Sequence, residues 1–159
     1  MAKPERKSKT RVKKRKLSAC KKAAWDALSK CVRYSHAIDG VNAACVTCGA
    51  VHRWQDLDAG HFIPKNKSNA VFFHSSNVHP QCTYCNRFLH GNIQNYYPYM
   101  LENYGQTIID WIKDHQTMHM NWRQADYEEM EIHYKSMFAW MQEQRREGVT
   151  GMLELVPWA

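Results

Sequence analysis

The sequence lacks any apolar run approaching the ~18 residues that a bilayer-spanning helix needs, so no membrane span is expected. Its first residues lack the apolar stretch of a secretory signal, which points to a reducing, cytosolic setting. No internal repeat is present. Acid is scarce at one end: residues 1–22 hold eleven Lys and Arg against Glu5 alone, a net of +10. The whole chain carries +7, so the remainder carries −3.

What is present fits one compact domain with appendages: 159 residues, 44% of them hydrophobic, enough to bury a core. The stretch MAKPERKSKTRVKKRK repels itself and is expected to be disordered in isolation. Such a tail neutralises phosphates and releases counterions, so a nucleic acid is the expected partner, with Lys13, Lys14, Arg15 and Lys16 as contacts. From Ser18, a candidate N-cap, Trp25, Leu28 and Val32 recur at helical spacing, and a helix is predicted over Ala19 to Ala37. Cys20 and Cys31 read as ordinary cysteines of that helix.

Four further cysteines form two pairs, Cys45-Val-Thr-Cys48 and Cys82-Thr-Tyr-Cys85, with 33 residues between them. In a reducing compartment such pairs are metal ligands before they are disulfides. Each pair can chelate one edge of a tetrahedron, and a closed four-sulfur site leaves no position for substrate, so the predicted zinc is structural. His52 is a weaker substitute for one sulfur. With zinc satisfied, the histidine of LDAGHFIPK needs another explanation.

Tying residue 48 to the 82–85 turn forces the intervening chain into a hairpin. Predicted strands are Ala59 to Ile63 and Val71 to Phe73, followed by a helix that starts at the second cysteine pair. Asp58 and His61 on the first strand then approach Asn86 near the helix start. Asp58 and Asn86 offer hard oxygens suited to magnesium or manganese. His61 offers a base of near-neutral pKa. Lys65, Lys67 and Arg87 are candidate phosphate contacts, and His74, His79 and His90 read as packing or surface residues.

An Asp-x-x-His segment between two cysteine pairs, with Asn directly after the last Cys, resembles the His-Me (HNH, ββα-metal) nuclease superfamily, and phage endonuclease VII in its active-site pattern. The wider run DAGHFIPK … NVHPQCTYCNRFLHGN, followed by YG, resembles the lambda-phage NinG (Rap) recombination nuclease family. That resemblance covers about Cys45 to Gly105. It implies His61 as general base, Asp58 and Asn86 as ligands of the catalytic metal, and Asn77 as the residue that pins the histidine's loop. Cys45, Cys48, Cys82 and Cys85 correspond to the zinc ligands. Gly60 and Asn86 stand where many HNH nucleases carry Asp and His, which puts the choice of metal in doubt.

The remaining chain reads as helices. NIQNYYPYMLENYG is one, with Pro98 in its first turn or at a kink. TIIDWIKDH follows, with Thr107 as cap and Asp110 at the capping-box position. A last helix runs from about Asp126 to Glu147, where Tyr127, Met130, Tyr134, Met137, Phe138 and Met141 form one apolar stripe.

The expected fold class is thus α+β: a small zinc-stapled ββα-metal (HNH) core with flanking helices and a disordered basic N-terminal tail. The expected division is a DNA-contacting tail at 1–17, a covering helix at 18–44 and a nuclease core at 45–105. C-terminal helices at 106–147 are a candidate dimer contact, and 148–159 forms a tail.

The resemblance implies a metal-dependent, structure-selective endonuclease that cuts branched recombination intermediates, Holliday junctions and D-loops, leaving 5′-phosphates. Its expected cofactors are structural zinc and catalytic magnesium or manganese. Expected partners are branched DNA, a second copy of the chain and recombination proteins, in the host-cell cytoplasm if the chain is phage-encoded. Two alternatives stay open: a general HNH nicking enzyme acting on plain duplex, and a zinc-knuckle nucleic-acid-binding protein without catalysis.

Overall fold

A computed structural model describes residues 14–64, 66–67 and 69–158. Helix α1 spans Leu17–Ser35. Hairpin β1 (Asn42–Ala44) and β2 (Val51–Arg53) follows, then strand β3 (Asp58–His61) and strand β4 (Val78–Gln81). A single wide helical turn covers Tyr84–Phe88, and two long helices close the chain, α2 (Ile93–His115) and α3 (Gln124–Arg146). Among the described residues the architecture is mixed α+β with two separate two-stranded antiparallel sheets. No helix among the described residues is long and apolar enough to cross a membrane. Of the tail expected to be disordered, residues 1–13 lie outside the described range, while Arg15 pairs with Glu131 and Glu128 and Lys16 leads into α1.

α1 buries Cys20, Ala24, Ala27, Leu28, Cys31 and Val32, a stripe at 3–4-residue spacing. The small side chains at 24 and 27 let α3 come close, and α3 answers with Tyr127, Met130, Tyr134 and Met141. Each large apolar side chain fully buried here contributes about 1.5–3 kcal/mol. The Cys31 thiol bonds the Tyr134 carbonyl at 3.0 Å, and burial pushes its pKa up to about 12, so it serves as a packing residue. The other side of α1 faces the β3–β4 hairpin.

Several expectations change here. α1 begins at Leu17 with Lys16 as its N-cap and no side-chain cap bond, so Ser18 lies inside the helix. Arg15 supplies an anchor instead, bonding Glu131 at 2.7 Å. Val71 to Phe73 is a turn, not a strand; the partner of β3 is β4, in the register Asp58↔Gln81 to His61↔Val78. Phe72 and Phe73 are buried among aromatic side chains, which explains their strand-like composition. The helix expected from the second cysteine pair is one turn long, because His90, Gly91 and Asn92 all take positive φ (50°, 89°, 49°) before α2 begins.

α2 stays helical through Pro98 and breaks at Gly105 (φ 77°, ψ 166°). Asp110 accepts a bond from the Gln106 side chain rather than marking a new capping box. The stripe on α3 packs against α1 of the same chain, and the large apolar side chains that α3 leaves exposed are Ile132 and Trp140. Residues 148–158 pack back on the helices: Leu153 is buried, its N–H bonds the Ser35 carbonyl, and Trp158 lies against Trp122.

Gly60 sits at the tightest point of the hairpin. A Cβ there would lie 2.0 Å from Gln81 Oε1 and 3.1 Å from Asn86 Oδ1. The Gln81 amide cannot retreat, because its Nε2 donates to Thr47 Oγ1 (3.2 Å) and the Gly91 carbonyl (2.9 Å). Gly60→Ala should therefore cost roughly 1–3 kcal/mol of stability through overpacking. Chemical denaturation measures it, and a wild-type midpoint would contradict the packing described.

Candidate metal centre and adjoining cleft

The four paired cysteines meet. Their sulfurs lie within 4.8 Å of one another, and Cys48 Sγ is 3.8 Å from Cys82 Sγ. A tetrahedron of zinc–sulfur bonds near 2.3 Å has edges of about 3.8 Å. The turns are shaped for the purpose. Gly49 (φ 75°) lets its N–H return to the Cys45 carbonyl at 2.9 Å, and the Cys85 N–H points at Cys82 Sγ at 3.5 Å. Thr47 Oγ1 lies 3.2 Å from Cys45 Sγ, and Asn92 Nδ2 donates to Cys85 Sγ at 3.3 Å, contacts that orient ligand sulfurs. Burial alone would raise the Cys45 thiol, but the Thr47 hydroxyl and backbone N–H groups bring it down to about 6. Cys48 is pushed up to about 12, first by burial and then by the neighbouring sulfurs. The set is placed to hold a structural metal such as zinc, which would replace this crowding with four thiolates on one cation. His52 is exposed on β2 and takes no part among the described contacts.

The Val46 N–H bonds the Pro80 carbonyl at 2.9 Å and ties the first cysteine turn to β4. That tie and the shared sulfurs place β3 beside the Tyr84–Phe88 turn. Asp58, His61 and Asn86 consequently line one cleft of about 810 Å³, with Trp25 and Arg33 of α1, Lys67, Arg87 and His90. Asn86 Nδ2 donates to Asp58 Oδ2 at 3.0 Å. Arg87 donates to both Asp58 oxygens, each at 2.9 Å. Burial works to raise the Asp58 carboxyl, but the Arg87 and Asn86 bonds and the Arg87 and Arg33 charges outweigh it, so its pKa stays below the ordinary carboxylate value.

His61 Nε2 lies 3.0 Å from the Phe72 carbonyl. A carbonyl only accepts, so Nε2 carries the proton and Nδ1 is the basic nitrogen. The ring stacks on Trp25 (4.9 Å, 21°) and touches Phe72. Asn77 lies behind the cleft, fully buried. Its Oδ1 accepts from the Ile63 N–H (2.7 Å), and its Nδ2 donates to the Ile63 and Val71 carbonyls. It thus clips together both ends of the loop that follows His61.

The basic candidates divide. Lys67 and Arg87 are at the cleft, and Lys14 and Lys16 are exposed beside α1. Arg15 is committed to Glu131 and Glu128 on α3, so it anchors the tail rather than offering a bare charge to phosphate. Lys13 and Lys65 lie outside the described residues.

Sequence reasoning passed over Trp25, which appeared only as one member of a helical stripe, and Arg33, which bonds the Gln55 and Leu57 carbonyls and so holds the approach to β3. It also undervalued His79. This ring is 1% exposed and bonds Tyr96 OH and Tyr104 OH, each at 2.8 Å, while Tyr96 OH donates to the Gly60 carbonyl at 3.0 Å. Tyr96 and Tyr104 belong to a cluster of tyrosines in a short segment, the one signal available beforehand.

The profile of the family described as Bacteriophage Lambda NinG protein matches residues 1–144. The chain belongs to the NinG family. It is 26% identical over 103 residues to Protein ninG of Escherichia phage lambda, covering 65% of this chain and 50% of that protein. Protein ninG of Salmonella phage P22 matches to the same extent, and that of Escherichia phage 933W is 31% identical over 75 residues, 47% of this chain and 37% of that one. The chain thus spans about half the length, or less, of the curated NinG relatives it matches. No solved structure matches.

Two outcomes test this NinG site. Cys82→Ser should abolish stoichiometric zinc and collapse the cooperative unfolding transition, since metal binding to such sites is folding free energy; a metal-free variant with wild-type stability would argue against the assignment. Burial holds the His79 pKa well below the ordinary histidine value, with the His36 and His61 charges adding to the effect. Its neutral form therefore contributes stability that is complete above the unfolded value of about 6.5 and is lost as pH falls through the depressed folded value. Imidazole NMR should show this ring still neutral at pH 6; titration near 6.5 would contradict its placement.

Proposed function

We propose that the chain is a metal-dependent DNA endonuclease of the HNH type, acting on branched recombination intermediates such as Holliday junctions and D-loops. One observation carries the reading: a carboxylate, an imidazole of fixed tautomer and a carboxamide, drawn from two segments, face one basic cleft beside the cysteine cluster. His61 Nδ1 accepts the proton of a water molecule, the water oxygen attacks phosphorus, and the bond to the 3′ oxygen breaks, leaving a 5′-phosphate. Phe72 and Trp25 hold the imidazole in place for that transfer. Magnesium or manganese held by Asp58 and Asn86 would supply the stabilisation that the phosphate and departing oxygen require.

The donor set fits a cation, since Asp58 already attracts one positive group, the Arg87 guanidinium. Arg87 reaches Asp58 from the solvent side, so a substrate phosphate could draw the guanidinium away while the cation takes its place on the carboxylate. Asn86 presents its NH2 to Asp58 and would turn its oxygen to the metal. The basic N-terminus supports DNA as the substrate. A homodimer would deliver paired cuts in a two-fold junction, with recombination proteins as further partners. The Arg87–Asp58 pair is the one feature that favours the non-catalytic alternative, a zinc-knuckle binding protein.

Cleavage of a synthetic four-way junction against a linear duplex of the same sequence, with magnesium and with chelator, tests the proposal. Preferential magnesium-dependent nicking of the junction is expected, and His61→Ala should bind normally and cut about 10²-fold or more slowly. Equal cutting of both substrates would mark a general nicking enzyme. Tight junction binding without cutting by the wild type would mark a binding protein.

A further inference from the structure

The turn that carries Asn86 and Arg87 into the cleft shows two aromatic rings on its outer side. Tyr84 is 62% exposed and Phe88 70%, with centroids 6.1 Å apart and planes within 25° of parallel. Leu89 and Ile93 are exposed just beyond. Isolated apolar side chains in water are ordinary, but here four occur within ten residues on a turn whose neighbours Cys82 and Cys85 are held in the sulfur cluster. Neither ring contributes to the two core clusters.

Charge identifies what this face can receive. Residues 59–101 contain no Asp or Glu, while Lys67 and Arg87 lie at the adjoining cleft. An apolar π-surface beside Lys67 and beside Arg87, which a phosphate would draw from Asp58, matches an unpaired nucleobase, whose ring stacks while its phosphates meet the cations. Paired bases inside a duplex offer no such face; bases at a branch point, a bulge or a gap do.

We propose that Tyr84 and Phe88 form a stacking platform for an unpaired nucleobase next to the cleft, which gives the protein its preference for branched over regular DNA. The inference rests on the reading of the cleft as a DNA site, and it adds the element that distinguishes substrate shape. Because Cys82 and Cys85 tie this turn into the sulfur cluster, the backbone that carries both rings is positioned before DNA arrives, which lowers the ordering cost of binding.

The test uses the full chain in zinc-replete, magnesium-free buffer. The DNA carries 2-aminopurine either unpaired in a bulge, at the branch of a four-way junction, or paired within a linear duplex. Wild-type protein is expected to change the fluorescence of the unpaired and branch-point probes and to bind those DNAs more tightly than the duplex. The double variant Tyr84→Ala/Phe88→Ala should keep its zinc and its duplex affinity, lose the fluorescence change, and lose about 10-fold or more of the preference. Tyr84→Leu/Phe88→Leu, which keeps apolar area without a π-face, should lose the fluorescence change as well.

An intact preference in the alanine pair overturns the proposal, as does an equal loss on duplex and bulge, or full function in the leucine pair. So does a wild-type dimer, seen by sedimentation without DNA, that the alanine pair dissociates, since the rings would then be a protein interface. A wild type that registers the unpaired base but cuts nothing in magnesium refutes the nuclease and leaves the platform standing. Junction cutting that is indifferent to both rings does the reverse.

Discussion

Four sulfur atoms from two turns separated by 33 residues occupy one small volume, and the cleft depends on that closure. Each turn alone is a few residues of loop. Joined, they fix the Val46–Pro80 bond, set β4 beside the first cysteine turn, and hold the Tyr84–Phe88 turn against β3. Asp58 and Asn86 reach 3.0 Å because both ends of the intervening loop are held at the same cluster. A metal such as zinc would strengthen this arrangement most where the apolar core is thinnest, for β1 through β4 are only three or four residues each.

Around that closure the protein uses buried polar side chains as fasteners. Asn77 joins three backbone groups, Gln81 reaches Thr47 and Gly91, and His79 links two tyrosines to the backbone of β3. Buried polar groups are costly unless paired, but when paired they specify one geometry more sharply than apolar contacts do. Gln81 Oε1 is an exception: it has no hydrogen-bond partner among the described residues and rests against Gly60. That contact accounts for a glycine directly before the cleft histidine, where any side chain would collide.

The helices form an outer layer with a division of labour. α1 and α3 bury their apolar stripes in each other, and α1 turns Trp25 inward to stack on His61. α2 builds a second small core with the loop after β3, through Phe62, Ile63, Tyr96 and Met100. The most prominent exposed rings beside the cleft are those of Tyr84 and Phe88, on the segment most tightly held by cysteines.

The cysteine cluster was legible in the sequence because two short cysteine spacings encode a chelating arrangement locally, whatever lies between them. The α1 and α3 stripes were legible for a similar reason, since helical periodicity is a local property. Asp58, His61 and Asn86 were legible as candidates through their positions relative to those cysteines and through family resemblance. The strand partner was not: Val71 to Phe73 has β-forming side chains, but its aromatic rings serve the core, while β4 contains a proline that composition alone counts against a strand. The Arg15 ion pairs, the burial of His79, the Phe72 carbonyl that sets the His61 tautomer, and the use of the α3 stripe within its own chain were decided by tertiary structure alone. Each depends on which distant residues become neighbours, and sequence spacing carries that information only where a local chemical unit, such as a metal-binding turn, forces the meeting.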